Sequence, residues 1–193
     1  MSAASADRGA WVERTLPEGV TLRCRRYSCS VPVSDLVVQP AVRDACSACP
    51  QYGRQFSCPP HSPVLTDYVG DATHARVVCL RLPLDHLDEP DPALRQRLGV
   101  YQGQRLLAAE LLAARVQGHG IAGCGACPSC PTCSAAEGEA ACRLPEQRIY
   151  SLESLGVNVV ELLRHCFAID LEWGGPDAEV SAVHAVGAVF HRG

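Results

Sequence analysis

The chain has 193 residues, 47% of them hydrophobic, and a formal net charge of −4. That is apolar material enough for a real core and length enough for one large domain or two small ones. The acidic balance argues against nucleic acid or another polyanion as partner, and the longest apolar runs, such as "AVGAVF", are too short to cross a bilayer.

The opening "MSAASADRGAWVERTLPEG" has neither a basic nor an apolar signal region. We read residues 1–19 as a flexible tail and 20–193 as a single cysteine-rich metal-binding domain in the cytoplasm. "GVTLRCRRYSCSVPVSDLVV" alternates with β-branched residues and reads as one or two strands. "CSACPQYGRQFSCPP" (46–60) follows as a loop, because its closing prolines forbid helix and central strand alike. "HARVVCLRLPL" (74–84) reads as a buried strand.

A helix is expected from Asp91 as N-cap and Pro92 in the first turn. Its apolar face is read as Leu94, Leu98, Tyr101, Leu107, Leu111, Leu112 and Val116, weakened by Gly99 and Gly103 and ended by Gly118 and Gly120. A second cysteine loop comes next. "NVVELLRHCF" predicts another helix, with Asn158 as cap and Glu161 placed as in a capping box. "FAIDLEW", the turn "GGPD" and "EVSAVHAVGAVF" predict a closing strand pair. The expected class is α+β: a small mixed sheet, two main helices, and two cysteine-rich metal-binding loops at one end.

Eight of the twelve cysteines fall in those two loops. In a reducing compartment such crowding favours metal or redox chemistry over disulfides. Cys124, Cys127, Cys130 and Cys133 are spaced three apart, and Cys142 follows. CxxCxxC wraps a loop around one object and suits a cubane, whose irons each take a different thiolate. Zinc sites more often use two separated CxxC pairs. Five cysteines are available, and we favour Cys127, Cys130, Cys133 and Cys142 with Cys124 spare. The ferredoxin continuation C-x3-C-P is absent; Pro145 stands three residues after Cys142. Cys46, Cys49 and Cys58 supply only three local ligands, so a fourth comes from Cys24, Cys29 or His61, or the position is open. Cys79 and Cys166 sit in apolar settings and read as small buried hydrophobes.

"CSACPQYGRQFSCPP", "GCGACPSCPTCSAAEGEAACRLPEQ" (123–147) and "YSLESLGVNVVELL" (150–163) together resemble a prokaryotic family of predicted metal-binding proteins, a domain of unknown function. The resemblance spans about residues 40–165. It implies Cys46, Cys49 and Cys58 as one ligand set and Cys127, Cys130, Cys133 and Cys142 as another, with Cys124 an addition to the family pattern.

The function expected is that of an iron–sulfur protein, with one or two 4Fe-4S clusters, taking part in redox chemistry. One fully cysteine-ligated cluster relays electrons, and the other is either a second relay or a reactive centre with a position open to a small-molecule substrate. No nucleotide or flavin fingerprint is present, so electrons come from a partner such as a ferredoxin or a reductase. As an enzyme it would be an oxidoreductase or lyase, with Tyr52, Arg54 and His61 as candidate helpers. Each also has a plainer reading, which we favour: packing, a solvated charge, an exposed loop residue. The alternative function is a zinc-stabilised protein-binding module without catalysis.

Overall fold

The computed structural model describes residues 9–16, 18–171 and 180–193, with Val116 described by its backbone alone. Six strands, β1 (Ala10–Thr15), β2 (Thr21–Pro32), β3 (His74–Pro83), β4 (Gly120–Gly123), β5 (Tyr150–Ser151) and β6 (Ala182–His191), form one sheet in the order β1-β2-β3-β6-β4-β5. Every pairing is antiparallel except β4 with β5. Four helices accompany it: α1 (Pro40–Ala45), α2 (Leu65–Tyr68), α3 (Pro92–Val116) and α4 (Val159–Phe167). The fold is α+β with a mixed sheet.

β3 explains why the sheet is central. Its middle, Val77–Leu80, is apolar and buried at every residue, as in a strand covered on both faces. Ala75, Val77 and Cys79 join one core with Tyr27, Cys29, Ala188, Phe190 and the α4 residues Leu162, Leu163 and Cys166. Val78, Leu80 and Leu82 point the other way, into a core with Cys24, Val183, Leu107 and Leu111. The period of two splits the strand between two layers.

α3 begins as expected: Asp91 Oδ1 accepts from Ala93 N–H at 2.8 Å and Leu94 N–H at 3.2 Å. Its buried face is the expected one in the second half, at Leu107 and Leu111 with Leu112 packed beside them, but not in the first. Leu94, Leu98 and Tyr101 are exposed, whereas Leu106, Leu107, Leu111 and Ala114 are buried. Gly99 and Gly103 lie on the packed side. A Cβ at Gly99 would meet Leu84 Cδ2 at 2.2 Å, and one at Gly103 would meet Ala185 Cβ at 3.4 Å. The helix therefore approaches through residues with no side chain, which an apolar-stripe count cannot register.

Other expectations shift in detail. Residues 10–15, read as tail, are an edge strand: Val12 packs on the α3-side core, Leu16 is buried, and Arg23 lies over the Trp11 ring at 4.6 Å. Asn158 does cap α4, accepting from Val160 N–H at 3.1 Å and Glu161 N–H at 3.2 Å. The capping box does not close, because Asn158 N–H goes to Val37 O at 2.8 Å and Glu161 turns to Arg164. Phe167 ends α4, and residues 168–171 are not strand. The rest of "FAIDLEW" and the turn "GGPD" fall outside the described residues. No described helix is long and apolar enough to cross a membrane.

Candidate metal centres

β4 and β5 run parallel, so both release their chains at the same end of the sheet. β4 leads into Cys124–Cys127, and β5 leads into the short turn Glu153–Leu155. The carboxyl ends of parallel strands are where ligand sites collect in open sheets. Both cysteine loops gather there.

The first loop is wound from turns. α1 runs on into a 3-10 turn over Cys46–Ala48. Cys49 N–H then bonds Cys46 O at 2.9 Å, Tyr52 N–H bonds Cys49 O at 3.0 Å, and Gly53 N–H bonds Pro59 O at 2.9 Å. Gly53 has φ +68°, a left-handed conformation natural to glycine. These closures return Cys58 to Cys46 and Cys49. Phe56 and Pro59 of this loop are buried, and Pro59 lines its cavity. Arg43 ties it down, donating from Nη1 to Pro63 O at 2.6 Å and to Ser154 O at 3.2 Å. The result is a cavity of about 200 Å³ walled by Cys46, Cys49, Cys58, Tyr52, Ser151 and Glu153.

The second loop brings Cys127, Cys130, Cys133 and Cys142 to one cavity of about 40 Å³, together with Arg148. The excursion from Cys133 to Cys142 is pinned by Ser134 Oγ donating to Ala141 O at 2.9 Å, and by Arg143 paired with Glu137 and Glu139. Arg115, from α3, donates to Glu146 O at 2.8 Å and Arg148 O at 2.7 Å and so anchors the loop's end. Cys127 Sγ accepts from Ile149 N–H at 3.4 Å. Gln55, Phe56 and Ser57 of the first loop also line this cavity, so the two loops are neighbours.

Two buried side-chain polar atoms among the described residues lack a hydrogen-bond partner, Glu153 Oε2 and Arg148 Nε. Such atoms are rare in folded proteins and call for an explanation. One belongs to the first cavity and the other to the second. Burial pushes the Glu153 carboxyl above its ordinary range, against hydrogen bonds from its own backbone and from Ser151. The Arg148 guanidinium lies over the Tyr150 ring at 4.9 Å. Burial also raises Cys58, and the thiols of Cys49, Cys46 and Cys133 add to it, the last of them reaching across from the second loop. Burial raises Cys46, and Glu153 adds to that.

Of the three candidate helpers, Tyr52 lines the first cavity; Arg54 and His61 do not. His61 Nε2 faces Gly53 O at 3.3 Å on the outside, and its ring packs on Phe56 with centroids 5.1 Å apart. The remote ligand candidates lie elsewhere too. Cys24 is in the α3-side core and Cys29 in the α4-side core, where Cys79 lies too as the small buried hydrophobe it was read to be. Alternation along β2 and β3 turned them inward. Cys29 and Cys166 share a hydrogen bond that lowers the Cys29 thiol and raises that of Cys166.

Cys124 stands apart from the other loop cysteines. It walls a third cavity of about 300 Å³, where β6 runs on past the end of β4. Burial raises its thiol to about 12, while a hydrogen bond from Val186 pulls the other way. Glu153 walls this cavity as well as the first. Sequence reasoning gave Glu153 and Arg148 no role. The only signal was the Glu of "YSLESLG", whose burial no local pattern announces. Among the described residues, no three His, Cys, Asp or Glu side chains converge as the ligands of a single ion would.

No curated protein and no solved structure matches the chain. The family model described as "Predicted metal-binding protein (DUF2284)" matches residues 29–190, from β2 almost to the end of β6 and across both cysteine loops. The chain belongs to this family of predicted metal-binding proteins.

Proposed function

We propose that the chain is an iron–sulfur protein taking part in redox chemistry, with a 4Fe-4S cluster held by Cys127, Cys130, Cys133 and Cys142 and a second held by Cys46, Cys49 and Cys58. Such clusters supply one-electron transfer, and one that is short of a thiolate ligand also offers an iron to substrate. The protein's part is to gather the thiols, tune their charge and keep the two groups close.

The observation that carries this reading is the pairing of each thiol group with an unsatisfied buried polar atom. Arg148 brings a cation to the four-thiol cavity, where thiolates at a metal are anionic and a neighbouring positive charge stabilises them. Glu153 brings an acceptor to the three-thiol cavity. The N–H of Ile149 on Cys127 is the kind of bond that tunes a cluster's potential. Because the loops adjoin, the two centres would be neighbours. Electrons would come from a donor protein such as a ferredoxin or a reductase, since the chain carries no nucleotide fingerprint.

The second reading is a zinc site at the second loop. The four thiols that line its cavity are also a zinc donor set, since four thiolates around Zn²⁺ make a closed structural site, although they would have to draw together to bind one ion. Anaerobic purification separates the readings. Iron–sulfur protein is brown, is bleached by dithionite and contains iron with acid-labile sulfide. Colourless protein with stoichiometric zinc and no sulfide would replace this proposal with a zinc-stabilised binding module.

A further inference from the structure

Glu153 opens the turn that follows β5, and Arg43 and Ser62 hold that turn against the first cysteine loop by donating to Ser154 O, at 3.2 and 3.0 Å. The three thiols of the first cavity and the Glu153 side chain therefore come from two segments about a hundred residues apart, locked together by hydrogen bonds. Oε2 is buried, lies in a segment walling that cavity, and has no partner in the protein. A buried carboxylate oxygen without a donor is costly, and coordination to a cation removes that cost. Cys46, Cys49 and Cys58 are meanwhile one ligand short of four. The cysteines and the histidine that sequence reasoning offered for the gap do not line the cavity.

From this juxtaposition we infer that Glu153 is the fourth ligand of the first centre, an oxygen donor completing Cys46, Cys49 and Cys58. The inference rests on the proposed metal centre and deepens it. A carboxylate is a hard ligand beside three soft ones, and it is exchanged more readily than a thiolate. Glu153 also walls the 300 Å³ cavity that holds Cys124 and His184. A small molecule in that cavity would thus approach the one metal position that is not sulfur-bound.

The test uses the full chain, reconstituted anaerobically with 57Fe and sulfide, as wild type, Glu153→Gln, Glu153→Ala and Glu153→Cys. Iron and sulfide content are measured, with Mössbauer and EPR spectra before and after mild oxidation. Wild type should show one iron site with a non-thiolate ligand. Glu153→Ala should lose that iron on mild oxidation and give the EPR signal of a three-iron cluster, and Glu153→Gln should hold it more weakly. Glu153→Cys should retain full iron and lose the distinct site. Circular dichroism establishes that each variant is folded. Should a variant fail to fold, the wild-type spectrum still decides, because all-thiolate iron there overturns the inference. A distinct iron site unchanged in Glu153→Ala also overturns it. Wild-type protein that binds neither iron nor sulfide refutes the proposed function itself, a separate result.

Discussion

Gly187 controls whether β4, and with it the second cysteine loop, can sit where it does. It lies in the middle of β6, opposite Val78 and beneath α3. A Cβ there would fall 2.7 Å from Ala122 O, 3.0 Å from Leu111 Cδ1 and 3.2 Å from Leu107 Cδ2. The two leucine ends can rotate slightly, but the carbonyl belongs to β4 and moves only with that strand. Overpacking a core by one methyl costs about 1–3 kcal/mol. Breaking a β4–β6 backbone bond adds about 1 kcal/mol. Gly187→Ala should therefore destabilise by about 3 kcal/mol, or roughly 6–12 °C in thermal midpoint for a chain of this size. Gly103→Ala is the control on the same interface. Its Cβ would meet Ala185 Cβ at an acceptable 3.4 Å, while the helix gains up to about 1 kcal/mol from losing a glycine, so it should be neutral or stabilising. Urea unfolding with circular dichroism measures both. A Gly187→Ala midpoint within error of wild type would refute the close approach of β4, α3 and β6 on which the placement of the loop depends.

Two arginines should act on one loop each. Arg43→Ala removes charge-assisted bonds to Pro63 O and Ser154 O, and Arg115→Ala removes those to Glu146 O and Arg148 O. At about 1.5–3 kcal/mol per such bond, each variant should lose metal from its own loop first, as read by metal content and limited proteolysis; equal loss from both loops counts against the assignment. Arg148→Gln should make the centre in the second loop harder to reduce, because a cation favours the more negative state. Roughly 1 kcal/mol of Coulomb energy is about 40 mV for one electron, and a redox titration without a downward shift would contradict the role given to Arg148. Burial, with Cys124 adding, raises the Cys79 thiol from 9.0 to about 12. Between these values the unfolded chain gives up that proton and the folded chain keeps it, so stability is intact below pH 9 and falls as pH rises towards 12, by at most about 1.4 kcal/mol per pH unit. Urea midpoints from pH 8 to 11 should fall less steeply in Cys79→Ala than in wild type; identical slopes would sink the argument.

Much of the framework was legible because it is encoded over a few residues. The β3 strand, the Asp91 and Asn158 caps, the two loops and the grouping of cysteines within each follow from alternation, cap chemistry and CxxC spacing, none of which needs a distant partner. The first half of the α3 face was misread for an equally local reason: the packed side there is marked by Gly99 and Gly103, and a hydrophobic pattern has nothing to count where a side chain is missing. β1 and β4 escaped because a four- to six-residue strand is specified by its neighbours in the sheet more than by its own residues.

The chain's order of residues alone determined which thiols share a loop, since that depends on steps of three along the backbone. Tertiary structure decided what faces those thiols. Glu153 and Arg148 reach the two cavities only because β5 aligns parallel to β4 and carries its flanking residues to the same end of the sheet. Cys24, Cys29 and Cys79 are withdrawn into the cores by the pleat of strands whose covering helices lie far away in sequence. Burial and charge at a site are sums over everything that surrounds it, and no stretch of sequence contains its own surroundings.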